Sequence, residues 1–147
     1  MAKFHYRMQN ILELKEKMES QAKTEFATKV EKLRLEELKL RKIYDDISKY
    51  EEHIRVINSD RLDLLQLKQC NNAIKIKKMQ AKAQKKAISI AEKDVDIARG
   101  KLNKVIIERK TQEILKEKAF EEFKRELEEQ ENKEVDEIVS FQYNKIE

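Results

Sequence analysis

The chain has one glycine and no proline in 147 residues. These two residues supply most tight turns, because glycine accepts a positive φ and proline holds φ fixed. A sheet protein or an α/β enzyme needs many such turns. The near absence of both residues therefore predicts an all-α chain with few reversals.

The chain also has little that would build a thick core or cross a membrane. Tryptophan is absent, aromatic residues make up 6% of the chain, and Cys70 is the only cysteine, so no internal disulfide is possible. No stretch approaches the roughly 20 apolar residues that span a bilayer. The first residues lack the apolar segment of a secretory signal. We expect a cytoplasmic protein that is not inserted in the membrane.

Motifs that carry catalysis or hold a cofactor are missing too. The sequence contains no GxGxxG, GxxxxGK[ST], GxSxG or CxxC pattern, and its two histidines, His5 and His53, are far apart. Carboxylates are abundant, but a catalytic pair needs burial to separate its two pKa values. We therefore expect no enzyme activity, no cofactor and no metal site.

What the chain does contain is charge and dispersed apolar residues. It is 42% charged and 39% apolar, with 33 basic and 29 acidic residues and a formal charge of +4. Apolar residues that recur in steps of three and four predict long helices that pair along a narrow apolar seam. Charged residues such as Glu36 and Glu37 are expected between the seam positions. The predicted seam includes Phe26, Val30, Leu33, Leu40, Ile43, Ile47, Tyr50, Ile54 and Ile57, and later Ile88, Ala91, Val95, Ala98, Leu102 and Val105.

The seam is interrupted near the middle of the chain. Asn58, Ser59 and Asp60 favour helix caps and turns, and Asn71-Asn72 is a second weak point. We predict one coiled-coil domain over 1–147, a long antiparallel two-helix coiled coil or helical hairpin. Helix 1 would cover about 3–58, the turn region about 59–72 and helix 2 about 73–145. The alternative, one unbroken helix paired with a second chain, would need a continuous seam through 58–73.

Two further segments stand out along the predicted hairpin. Gly100 lies inside helix 2 and is interpreted as a close-packed or slightly bent point. Residues 108–113 are interpreted as polar all round.

Charge is uneven along the chain. Residues 64–91 carry seven lysines and no acid, whereas residues 121–147 carry ten acids and four bases. A basic turn end could orient a rod between partners, bind nucleic acid or an acidic protein, or simply keep the rod soluble.

The two ends of the chain carry more apolar residues than one seam requires. Phe4, Tyr6, Met8, Ile11 and Leu12 open the chain, and Val135, Ile138 and Phe141 lie near its end. We interpret this terminal end of the hairpin as a partner contact. Tyr44, beside Ile43 and Ile47, is a second candidate anchor if it faces outward.

The terminal motifs resemble the FliJ family, small coiled-coil proteins of the bacterial flagellar export apparatus. Phe4 to Leu12 follows the family pattern F-x-[YF]-R-[LM]-Q-x-[IL]-L, and residues 133–138 resemble its signature K-x-[LV]-D-E-[IL]. Residues 94–99, 108–110 and 113–116 are similar to the family's second helix.

The resemblance implies an antiparallel coiled coil similar to the two long helices of a rotary ATPase γ subunit. It implies that the terminal end binds and stimulates the ring of the FliI-like export ATPase. It further implies contact with the cytoplasmic domain of the FlhA-like export gate, binding of export chaperones, and a position at the inner face of the membrane. No nucleic acid is expected. The implied ATPase-binding residues are Phe4, Tyr6, Arg7, Ile11, Leu12, Val135, Asp136, Ile138 and Phe141.

The implied gate-binding residues are Leu40, Tyr44, Ile47 and Ile74. The chain departs from the family in helix 2, where Cys70, Ile74 and Lys77 replace the aromatic or leucine residues that are common there.

The competing functions are a generic coiled-coil spacer and a basic rod that binds nucleic acid or an acidic protein.

Overall fold

The computed structural model describes residues 2–59 and 63–146. Two helices account for nearly all of this part of the chain: α1, Gln9–Ser59, and α2, Leu64–Ile146. The described residues contain no strand. The predicted all-α helical hairpin is therefore confirmed. Neither helix has a segment apolar and long enough, within the described residues, to cross a bilayer.

The helix α1 begins later than the sequence indicated. Residues 2–6 have no regular secondary structure, and the backbone N–H of Gln9 donates to the carbonyl of Tyr6 at 3.1 Å. The N–H of Leu12 then donates to Met8 at 3.0 Å, which opens the helical ladder. Phe4 and Tyr6 thus lie before α1, because their side chains pack on α2 as described below.

The helix α2 begins well before the predicted residue 73. The carboxylate of Asp63 accepts the backbone N–H of Leu65 at 3.1 Å and of Gln66 at 3.4 Å. This N-cap satisfies N–H groups that a helix start leaves unpaired. Asn71-Asn72 consequently lies inside the helix. Asp60, which we assigned to the reversal, lies outside the described residues.

The chain forms two compact units. Unit 1 comprises Met1–Gln21 and Asn103–Glu147, and unit 2 comprises Ala22–Leu102. Within unit 1 the pairing is antiparallel, because Tyr6 bonds to Gln112 while Lys15 bonds to Glu108, each at 2.8 Å.

Unit 2 is also antiparallel. Asp46 pairs with Lys77 at 3.2 Å, and Glu25 pairs with Lys101 at 3.9 Å. Most of the less exposed positions of each helix in unit 2 follow alternating steps of three and four, the spacing of a coiled-coil seam. Four further half-buried residues each directly precede a seam residue: Asp46, Ala73, Ala87 and Asp94. The seam positions on α1 are Ala22, Phe26, Lys29, Leu33, Glu36, Leu40, Ile43, Ile47, Tyr50, Ile54 and Ile57. The seam positions on α2 are Leu67, Cys70, Ile74, Lys77, Ala81, Gln84, Ile88, Ala91, Val95, Ala98 and Leu102.

Three details of the seam differ from the sequence-based prediction. Val30 is 41% exposed, and Lys29 occupies its seam position. Glu36 is a seam residue rather than a spacer, since Gln84 provides a hydrogen-bond donor opposite it. Gly100 is exposed, and a Cβ added there would meet nothing within 4 Å, so it is not a close-packed point.

Candidate functional site

In unit 1 the N-terminal segment is held on α2 by aromatic contacts. The ring of Phe4 lies 5.2 Å from that of Phe120 in an edge-to-face arrangement and 5.5 Å from that of Phe123. The hydroxyl of Tyr6 donates to the side-chain oxygen of Gln112 at 2.8 Å, and Tyr6 is buried. Offset aromatic pairs add attraction beyond the area they bury. Phe4 and Tyr6 therefore fix the chain end.

The remaining N-terminal residues of the predicted ATPase-binding set divide by exposure. Leu12 is 3% exposed and belongs to the core of unit 1. Ile11 is 41% exposed, and Arg7 is exposed as well. Only Ile11 and Arg7 thus leave much of their side chain accessible to a partner.

A polar network crosses the seam of unit 1 in the segment predicted to be polar all round. Glu108 accepts a hydrogen bond from Lys15 at 2.8 Å, and this bond holds the pKa of the Glu108 carboxyl below its usual value. Arg109 is paired with Glu113 at 2.7 Å and with the buried Glu19. The hydrogen bond to Glu113 is the main cause that raises the pKa of Arg109.

This network matters because it sets how the two helix segments of unit 1 align. A charged seam residue is costly to bury unless its partner lies opposite, so only a matching alignment is favourable. Sequence reasoning missed these residues, since a charged side chain that pairs across the seam has the same local pattern as one that faces solvent.

The C-terminal members of the predicted set lie on a helical segment without burial. Every residue from 128 to 145 is exposed, although the segment is part of α2. Val135, Ile138 and Phe141 are 56%, 58% and 69% exposed. Their three-residue spacing places them on one side of the helix, and Val139, which is also exposed, lies beside Val135 on that side.

We call these four residues, Val135, Ile138, Val139 and Phe141, the C-terminal apolar face. Asp136 is exposed and follows Val135 on the flank of this face. The structure does not bring the two halves of the predicted ATPase-binding set together. Phe4 and Tyr6 contact residues 112–123, whereas the C-terminal apolar face lies further along α2 with no ring contact or ion pair among the described residues.

The predicted gate-binding residues all lie in unit 2. Ile47 is buried, and Leu40 and Ile74 are half-buried in the seam. Tyr44 is 42% exposed, with the ammonium of Lys85 5.8 Å from its ring centroid. Tyr44 is therefore the member of this set with an accessible aromatic surface.

The three residues of α2 at which the chain departs from the family, Cys70, Ile74 and Lys77, lie in the seam of unit 2. Cys70 is a buried free cysteine, and Lys77 is the ion-pair partner of Asp46. Among the described residues, no group of histidine, cysteine and carboxylate side chains is arranged to hold a metal ion.

The comparison with protein families returns a match over nearly the whole chain. The family described as Flagellar FliJ protein matches residues 4–147. No curated protein and no solved structure matches the chain significantly.

Proposed function

The chain belongs to the FliJ family and is thus a component of the flagellar export apparatus, and we propose that it works there as a non-enzymatic binding partner of the export ATPase. In this proposal it stimulates the ATPase ring, contacts the export gate through Tyr44 and escorts export chaperones at the inner face of the membrane.

The observation that carries the ATPase contact is the C-terminal apolar face. Residues 128–145 form helix without a packing partner, and the face exposes large aliphatic and aromatic side chains. Burying each large side chain in a partner would contribute about 1.5–3 kcal/mol. Residues 121–147 also carry ten acids and four bases, so the complementary partner surface would be basic.

Replacing Val135, Ile138 and Phe141 together by glutamine is expected to abolish stimulation of the cognate flagellar ATPase. Glutamine keeps the helix propensity of the segment but removes the apolar contact. The measurement is the rate of ATP hydrolysis with and without the variant, with light scattering on the same mixtures to follow ring assembly. Deletion of residues 135–147 should give the same result while helicity remains nearly intact.

The matched control replaces three other exposed isoleucines by glutamine: Ile97, Ile107 and Ile114, which are 59%, 65% and 52% exposed. This control should stimulate the ATPase as the parent chain does.

A Tyr44→Ala variant should keep stimulation and lose binding to the cytoplasmic domain of the export gate. Full stimulation by the triple C-terminal variant would contradict the ATPase contact, and unchanged gate binding by Tyr44→Ala would contradict the gate contact.

A further inference from the structure

One exposed flank of α2 in unit 2 carries a dense set of lysines, and the proposed ATPase and gate contacts use none of them as a binding residue. Residues 64–91 contain no acidic residue. We call the exposed lysines of this stretch the lysine face. They are Lys68, Lys75, Lys78, Lys82, Lys85 and Lys86.

The lysine face lies on one flank of α2, beside the seam, where the ammonium of Lys85 is 5.8 Å from the ring centroid of Tyr44 on α1. With about 100° per residue, its six members fall within an arc of about 100°, while Cys70, Ala81 and Gln84 mark the seam side. The seventh lysine of this stretch, Lys77, is not a member of the lysine face. It lies in the seam and forms an ion pair with Asp46 at 3.2 Å. No member of the lysine face forms an ion pair with any described residue.

Exposed apolar side chains lie next to the lysine face. Ile76, Met79 and Ile90 are 56%, 73% and 62% exposed and follow a parallel strip on the outer side of α2. A surface that is basic, free of acid and partly apolar is typical of helices that lie on anionic membranes. The apolar strip gains nothing from a phosphate backbone, which favours a membrane over nucleic acid.

The residue type points the same way. All six cations are lysines, which act as point charges, whereas arginine supplies the planar fork that binds a single phosphate through two hydrogen bonds. A bilayer surface presents diffuse negative charge, and point charges on one face match it without fixed geometry.

We propose that the lysine face, together with Ile76, Met79 and Ile90, binds the surface of a bilayer that contains anionic phospholipid. The lysines attract the negative headgroups while the three apolar side chains enter the boundary between headgroups and acyl chains. Each lysine near such a surface strengthens binding about fivefold.

The test is cosedimentation of the full chain with vesicles. Equal parts of phosphatidylglycerol and phosphatidylcholine provide the anionic surface, and pure phosphatidylcholine provides the neutral one. The parent chain should bind the anionic vesicles, bind the neutral ones at least tenfold more weakly, and dissociate as salt rises. The variant Lys75→Gln, Lys78→Gln, Lys82→Gln, Lys86→Gln should lose at least tenfold in the partition coefficient.

The matched control changes net charge equally by replacing four exposed lysines elsewhere, Lys17, Lys42, Lys49 and Lys110, by glutamine. It should retain most of the binding, and circular dichroism should show both variants equally helical. Equal loss in the two variants would overturn the proposal, as would equal binding to neutral vesicles. Salt-sensitive retention on double-stranded DNA without vesicle binding would also overturn it and assign the face to nucleic acid.

Discussion

At the scale of a single residue, Gly100 shows how much room the outer side of α2 leaves. Nothing lies within 4 Å of the position that its Cβ would take, and its φ is not positive. A helical residue with open space around it gains nothing from lacking a side chain. The glycine therefore costs stability without a compensating contact in unit 2.

Replacing Gly100 by alanine is expected to raise the free energy of unfolding by about 0.5–1 kcal/mol, because alanine loses less backbone entropy in a helix. Urea unfolding followed by circular dichroism measures the change. Serine has a lower helix propensity than alanine and a higher one than glycine, so the free energy of unfolding of Gly100→Ser should lie between those of the parent chain and Gly100→Ala. An alanine variant that is no more stable than the parent would show that this position needs a glycine.

At the scale of paired elements, Glu36 and Gln84 form a hydrogen-bonded polar contact between α1 and α2 in the seam of unit 2. The side-chain nitrogen of Gln84 donates to the backbone carbonyl of Glu36 at 2.8 Å and to its carboxylate at 2.5 Å. The hydrogen bond from Gln84 is the main cause that lowers the pKa of the Glu36 carboxyl below its ordinary value. This contact thus favours the ionised carboxylate in the folded state.

A lowered pKa in the folded state links stability to pH. The stabilisation is fully present above the ordinary pKa of an unfolded glutamate and is lost as pH falls through the lower pKa of the folded state. A Glu36→Gln variant should therefore lose less stability than the parent chain on acidification below that pH. Thermal unfolding midpoints at a series of pH values measure the difference.

The control for this prediction is Glu37→Gln, which removes an exposed carboxylate from the neighbouring position. Its midpoints should follow those of the parent chain more closely across the series. Identical pH dependence in the parent and Glu36→Gln chains would rule out the stabilising role of the Gln84 contact.

The element scale also shows what the sequence could predict. The steps from Leu40 to Ile57 identified a seam, and all of the apolar residues assigned there are buried or half-buried. Apolar periodicity reports burial directly. The seam positions of Glu36 and Arg109 were not predicted, because a polar seam residue can be recognised only from its partner on the other helix. The start of α2 was predicted too late, because the N-cap formed by Asp63 outweighs the weak helix propensity of Asn71-Asn72.

The candidate site was less predictable than the fold. Motif matching placed Tyr6 and Val135 in one contact set, but it could not tell that Tyr6 is buried while Val135 remains 56% exposed. That distinction depends on which part of α2 the first residues pack against. Packing of this kind is tertiary information, which local residue order does not contain.

At the scale of the whole molecule, protection of the backbone should vary along α2. Amides from 91 to 105 lie in helix with buried side chains, among them Ala91, Val95, Ala98 and Val105. Amides from 128 to 145 lie in helix that buries nothing. Helices without tertiary packing are marginal in water.

Hydrogen exchange is therefore expected to be much faster in residues 128–145 than in residues 91–105. Mass spectrometry of peptides from a time course of deuteration measures both segments in one sample. Adding the export ATPase should slow exchange in residues 128–145 selectively, and the triple C-terminal variant should show no such slowing. Equal exchange in both segments of the free chain would mean that the C-terminal helix is stable by itself.

The pairing of Tyr6 with Gln112 has a consequence for biosynthesis. The two residues are 106 positions apart, so the ribosome must add most of the chain before Tyr6 can meet its partner. At a translation rate of 5–20 residues per second, that wait lasts about 5–20 s. During this time Phe4 and Tyr6 lack the part of α2 that they contact, because Gln112, Phe120 and Phe123 are not yet made. The first residues to leave the ribosome are thus among the last to be buried. Until then they remain accessible to any factor that binds unfolded segments.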